Sequence, residues 1–150
     1  HEIQKDGLQL SLDSDPDIPN SYADPNSITM AFLNLLDNAI KYSGDNKKID
    51  IRIRRNGNCV DLSVADNGVG IPESERQKIF DKFFRGSDPS VRRVRGSGIG
   101  LAITKHVAEI HNGEILVKSE PGQGSTFTLR IPIRTVDDGS NPISNLESRI

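Results

Sequence analysis

Cysteine is nearly absent from this sequence, with one residue in 150, and tryptophan is missing altogether. A single thiol excludes an internal disulfide framework and cannot build a multi-cysteine zinc site. No apolar run approaches the length of a membrane span, and no basic-then-apolar leader opens the chain, so neither insertion nor secretion is expected of this piece. Positive charge is not in excess either. The formal net charge is −2 and the pI is near 5.9, which removes the electrostatic case for a nucleic-acid partner. These absences point to a cytoplasmic domain, or to the cytosolic part of a larger protein whose anchoring the sequence leaves open. The length fits one domain, which buries roughly 68–70% of its unfolded surface without covalent staples. Glycine is plentiful, at 13 residues, and it is unevenly spread.

Leu8 to Leu12 alternate apolar and polar, which predicts a strand. Asp13 to Asn26 read as a connector in which Pro16, Pro19 and Pro25 oppose helix. A helix is expected from Asp24 or Asn26 to Ser43, with Pro25 in its first turn and Gly44 at its stop. Ile49, Ile51 and Ile53 alternate again. Asn56-Gly57 signals a hairpin, and Val60, Leu62 and Val64 return, with Cys59 at a packing position on that strand. Glu73 to Phe80 allow one or two helical turns, and Arg85 to Gly98 form a basic segment without period, expected to be a mobile loop. A helix is expected over Ile99 to Ile110, then a second hairpin turning at Pro121 to Gly124. Two hairpins with intervening helices indicate an α+β sandwich, with helices on one face of a mixed sheet.

Three places combine unusual chemistry with spacing. On the first helix Asn34, Asn38 and Lys41 stand at i, i+4 and i+7, one polar line beside an apolar arc. Such a line is either a solvated flank or an amide oxygen and a cation facing something anionic. Asp66 ends a strand and is followed by Gly68 and Gly70. That pattern is either a carboxylate closing its own turn or an acceptor beside backbone open to a flat ligand. Gly96-Ser97-Gly98-Ile99-Gly100-Leu101 opens the last long helix, whose free N–H groups and positive end form an anion site unless the glycines are merely a hinge. Its spacing matches neither a dinucleotide-binding nor a Walker A fingerprint. Arg85, Arg92, Arg93 and Arg95 feed into it, as a lid over phosphates requires.

In order and spacing these pieces resemble the catalytic and ATP-binding domain of bacterial-type sensor histidine kinases. That domain belongs to a superfamily shared with type II topoisomerases, a heat-shock chaperone and a mismatch-repair ATPase. Asn34-Leu35-Leu36-Asp37-Asn38-Ala39-Ile40-Lys41-Tyr42 is similar to the N box, and Asp66-Asn67-Gly68-Val69-Gly70-Ile71-Pro72 to the first glycine box. Phe80 to Arg85 resemble the F box, Gly96 to Ala102 the second glycine box, and Pro121 to Phe127 the last. The likeness spans roughly residues 8–133.

The resemblance implies a two-layer sandwich of the Bergerat type, with a mixed, mostly antiparallel sheet of about five strands, three backing helices and an ATP lid. It implies ATP and Mg²⁺ as cofactors, with Asn38 holding the metal through its amide oxygen. Asn34 and Lys41 would contact phosphates, and Tyr42 would pack near the adenine. Asp66 would accept from the adenine amine, with Gly68 and Gly70 letting backbone and water reach the base, Ile71 among the nucleotide-binding residues, and Thr126 assisting through a water. Gly96, Ser97, Gly98, Ile99, Gly100 and Leu101 would present backbone to phosphate. Phe80 and Phe83 would anchor the lid, and Arg85 would neutralise charge on the γ-phosphate. Where hydrolysing relatives carry a water-activating Glu, this chain has Asn34, an amide without useful basicity, which favours transfer over hydrolysis.

The implied partners are the chain's own dimerisation and histidine-phosphotransfer domain and a response-regulator receiver. A serine kinase of the anti-sigma-factor type, or an ATP-sensing module without transfer, shares the same boxes. The expected division is a linker over residues 1–7, an ATP-binding kinase domain over 8–135 and a polar tail over 136–150. His1 reads as linker, and His106 and His111 as helix polar residues, not phosphoacceptors.

Overall fold

Alternating Ile49, Ile51 and Ile53 seed the centre of the sheet, and the computed structural model, which describes residues 1–135, builds outward from them. The strands are β1 (Glu2–Lys5), β2 (Leu8–Ser14), β3 (Lys47–Asn56), β4 (Cys59–Asp66), β5 (Glu114–Glu120) and β6 (Gly124–Pro132). They form one six-stranded sheet in the order β1-β2-β3-β4-β6-β5. All pairs are antiparallel except β2 with β3, where Leu10 lies opposite Ile49. A parallel pair needs a long crossover, and the helix α1 (Pro25–Tyr42) supplies it.

The sheet therefore has one strand more than expected. Residues 2–5, read as part of a linker, pair with β2 through a turn at Asp6 and Gly7, both left-handed (φ 48° and 78°). Asp-Gly is the same kind of hairpin signal as Asn56-Gly57. The strand it serves is too short and too exposed to show an apolar alternation. The C-terminal tail 136–150 lies outside the described residues.

Helix α1 begins where its chemistry dictates. The Asp24 carboxylate accepts from the Asn26 N–H at 3.1 Å, Pro25 occupies the first turn, and the chain leaves after Ser43 through Gly44 at φ 68°. A second helix, α3 (Gly100–Ile110), packs beside α1 on the same sheet face. Leu35, Ile49, Val64, Leu129 and Thr104 are the largest fully buried side chains between the layers. Among the described residues, no helix is long and apolar enough to cross a membrane.

His111 ties the two helices at their far ends. Its Nε2 accepts from the Asp24 N–H at 3.1 Å, so the ring proton sits on Nδ1, 2.8 Å from the Val107 carbonyl it donates to. The opposite sheet face is polar. Asp61 and Arg130 pair across β4 and β6, and Ser63 and Thr128 are 2.8 Å apart. This division leaves one end of the helical layer, between the start of α3 and the C-terminal half of α1, as the open part of the fold.

Candidate functional site

The polar line of α1 faces a cleft of about 360 Å³, within the range of small-ligand sites. Asn34, Asn38, Lys41 and Tyr42 form one wall, and Asp66, Gly70 and Ile71 another. Arg85 and the run Gly96, Ser97, Gly98, Ile99, Gly100 and Leu101 complete it. Segments far apart in sequence, from Asn34 to Leu101, thus converge on one cavity.

Asp66 sits where β4 ends. Its Oδ1 accepts from the Gly68 N–H (2.8 Å) and the Ser125 N–H (3.3 Å). Burial pushes its carboxyl above the ordinary value, against the opposing effect of those two donors. Glycines in this loop and at the start of β6 are required by close approach. A Cβ on Gly70 would lie 2.0 Å from the Glu120 carbonyl oxygen, and one on Gly124 would lie 2.0 Å from that of Asp66. Gly68 does not line the cleft. A Cβ there would lie 2.2 Å from the Tyr42 carbonyl oxygen, so its function is to seat the loop against the end of α1.

Asn34 Nδ2 donates to the Gly100 carbonyl at 3.2 Å, and the Thr104 hydroxyl donates to the same oxygen at 3.0 Å. Helix α3 starts at Ile99, whose side chain offers no cap, so its first N–H groups and positive end remain available at the cleft. Lys41 is paired with Asp37 at 2.6 Å, one turn back. Asp37, which sequence reading passed over, also lines the cleft; its signal was the i, i+4 acid–base spacing. Asn38 lines the cleft with no hydrogen bond to another described side chain. No cluster of three or more His, Cys, Asp or Glu with metal-holding geometry exists among the described residues.

Two expectations about individual residues are corrected. Thr126 is not part of the cleft. Ser125 and Phe127 line it, and strand alternation puts Thr126 on the other sheet face, between Ala65 and Lys118. Phe83 does not anchor the lid with its ring, which is 72% exposed from a left-handed backbone (φ 67°). Its N–H does so instead, donating to the Gly98 carbonyl at 3.0 Å, while Phe84 faces the cleft. Phe80 packs edge-on to Phe127, with ring centroids 6.4 Å apart.

The basic loop also contains a helix, α2 (Pro89–Arg93), capped by the Asp88 carboxylate accepting from the Ser90 N–H at 2.8 Å. Asp88-Pro89 is a start signal that charge density obscured. Arg85 is held within this loop, its Nη2 donating to the Val91 (2.6 Å) and Val94 carbonyls.

The family described as histidine kinase-, DNA gyrase B-, and HSP90-like ATPase matches residues 23–135, which include the whole cleft. The chain belongs to that family. Its relatives place it with the catalytic domains of two-component sensor histidine kinases. It is 40% identical over 135 residues to the sensor-like histidine kinase SenX3 of Mycolicibacterium smegmatis, covering 88% of this chain and 35% of the relative. This ATPase-family domain therefore spans about a third of that relative's length. Among solved structures, the mycobacterial sensor histidine kinase MprB superposes with a TM-score of 0.76 at 30% identity, covering 87% of this chain and 86% of that one. Full-length ShkA in complex with AMPPNP gives 0.74 at 27% identity, covering 87% of this chain and 27% of that one.

Proposed function

We propose that this histidine kinase domain binds Mg·ATP in the cleft and transfers the γ-phosphoryl group to a histidine on a separate dimerisation domain, from which a response-regulator receiver takes it. One observation carries the reading. A single cleft has a half-buried carboxylate, Asp66, on one wall, and the uncapped start of α3 with Lys41 on another. A ligand with an amine donor at one end and several negative charges at the other suits both, which describes an adenine nucleotide.

The roles follow from donor chemistry. An ionised Asp66 only accepts hydrogen bonds, so it selects the N6 amine of adenine, with Gly70 and Ile71 beside the base and Tyr42 packing near it. The N–H groups at the start of α3 receive phosphate oxygens, and Gly96 to Leu101 supply the approach. Lys41 leaves Asp37 for the stronger charge of the phosphates. Arg85, held at the cleft wall by its own loop, adds positive charge where the γ-phosphoryl departs.

The donor set fits Mg²⁺. A lone amide oxygen at Asn38, without a carboxylate cluster, is enough for a metal that keeps waters and takes its other ligands from phosphates. When bound, the ion neutralises charge on the triphosphate. Asn34 has no basicity to activate water and its amide is committed to Gly100, which supports transfer over hydrolysis.

In the transfer an imidazole nitrogen bonds to the γ-phosphorus as the bond to the bridging oxygen breaks. ADP keeps that electron pair, and the imidazole proton leaves to solvent.

Labelling with γ-³²P-ATP tests this reading. The isolated chain should not label itself, whereas a cognate histidine-bearing domain added in trans should label, with a product that acid destroys. An acid-stable product indicates a serine acceptor, and self-labelling at His1 overturns the linker assignment. Nucleotide binding without transfer reduces the domain to an ATP sensor.

A further inference from the structure

We infer that Ser119 is a positioning residue that aims the base-recognising loop and thereby sets the nucleobase selectivity of the cleft. This rests on the reading of the cleft as an adenine-nucleotide site. Ser119 lies near the end of β5, is 7% exposed and does not line the cleft, so it acts only through other residues.

Its hydroxyl is fully committed. It accepts from the Ile71 N–H at 2.7 Å, lies 3.0 Å from the Gly124 carbonyl and 2.8 Å from the Ser125 hydroxyl. With its proton given to Gly124, one lone pair serves Ile71 and the other the Ser125 hydroxyl, which exhausts the capacity of a serine. The Ser119 carbonyl is held in turn by Arg76 Nη2.

Those partners are the two segments that place Asp66. Ile71 ends the glycine loop that begins at Asp66. Ser125, on the other side, donates its N–H to Asp66 Oδ1. The same two segments are in tight backbone contact, since the Gly122 N–H donates to the Val69 carbonyl at 2.7 Å. Ser119 is the only side chain among those hydrogen bonds that joins Ile71 directly to the β5–β6 turn. Removing its hydroxyl orphans a half-buried N–H and lets the loop shift relative to Ser125, which moves Asp66 Oδ2 with respect to the base edge.

Selectivity is the sensitive readout. Adenine offers an amine donor to Asp66, whereas guanine offers a carbonyl oxygen there and is repelled. That discrimination depends on where the carboxylate points. Phosphate binding at the far end does not.

The experiment measures dissociation constants for ATP, GTP and inorganic tripolyphosphate on the wild-type chain and on Ser119→Ala, Ser119→Thr and Ser119→Cys. Ser119→Ala should weaken ATP about tenfold, the loss for one misaligned polar pairing. GTP and tripolyphosphate should move less than about twofold, so the ATP preference falls by nearly the same tenfold factor. Ser119→Thr keeps the hydroxyl and should restore the preference. Should the alanine variant not fold, the preference of the cysteine variant, nearly isosteric with weak hydrogen bonding, decides, and it should fall.

An unchanged ATP preference overturns the inference, and so does an equal loss for ATP and tripolyphosphate, which marks a general structural defect. A wild-type chain without ATP preference overturns the nucleotide reading itself.

Discussion

Asn34 on the first long helix donates its amide to the carbonyl of Gly100, the first residue of the last long helix, at 3.2 Å. That bond joins the first polar line to the glycine-rich start of the last helix across the cleft. The Thr104 hydroxyl donates to the same oxygen, so removing Asn34 does not leave the carbonyl orphaned. Asn34→Ala should therefore cost only about 0.5–1.5 kcal/mol in urea unfolding, while binding of the triphosphate weakens. A loss of several kcal/mol would show that the amide holds the helices together and not the ligand end.

Asp66→Asn separates binding from stability. Gly68 and Ser125 donate to Oδ1, so an asparagine must keep its oxygen there and turn its NH₂ toward the cleft. That donor faces the adenine amine, and ATP affinity should fall about a hundredfold, as when a buried polar pairing is mismatched. Stability should move the other way. Burial raises the Asp66 carboxyl in the folded chain, so the folded state disfavours its ionisation. Stability is thus lost as pH rises from the unfolded value through the raised folded value. The asparagine variant escapes that penalty. Thermal melts should show it at least as stable as wild type at neutral pH, with its advantage shrinking as pH falls from the raised folded value to the unfolded carboxylate value.

The Asp61–Arg130 pair has the opposite sign. Arg130 bonds both Asp61 oxygens, Nε at 2.7 Å and Nη2 at 2.9 Å, and holds that carboxyl below its ordinary range. A depressed folded value gives stability that is present above the unfolded value and lost as pH falls through the folded one. Asp61→Asn should lower stability by about 1–2 kcal/mol at neutral pH and by progressively less toward strong acid. A difference independent of pH would exclude the ion pair as its source.

Two glycines distinguish steric from conformational need. Gly70 and Gly122 are both left-handed, at φ 70° and 78°, but only Gly70 faces backbone within 4 Å of a built Cβ. Gly122→Ala should cost about 1–2 kcal/mol from backbone strain alone. Gly70→Ala adds overpacking against the Glu120 carbonyl and should cost about 3 kcal/mol or more. Equal melting temperatures for the two variants would contradict the close approach.

Local signals were legible in the sequence. Asp24, Pro25 and Gly44 bound the first helix through capping, fixed φ and left-handed freedom, and these act over a few residues in any context. Period-two alternation marked three of the six strands and the turn at Pro121 to Gly124 two more, and the spacing of Asn34, Asn38 and Lys41 put them on one line before any packing was known. The glycine boxes located the cleft because tight turns and close backbone approach select that residue locally. The first strand escaped, since its four exposed residues carry no burial pattern to read.

Other features depended on strands and helices meeting. The face that Thr126 occupies follows from the pairing of β6 with β4 and β5, and the exposure of Phe83 from a backbone held by Gly98. The commitment of Ser119 to Ile71 and Ser125 arises only when β5 and the glycine loop are brought side by side. A hydroxyl in sequence is only a potential donor and acceptor; burial among particular partners decides which bonds it makes. Composition and spacing determined an α+β sandwich with its unusual chemistry on the first helix and at the glycine-bearing loops. Tertiary packing decided which of those side chains reach the cleft and which hold the others in place.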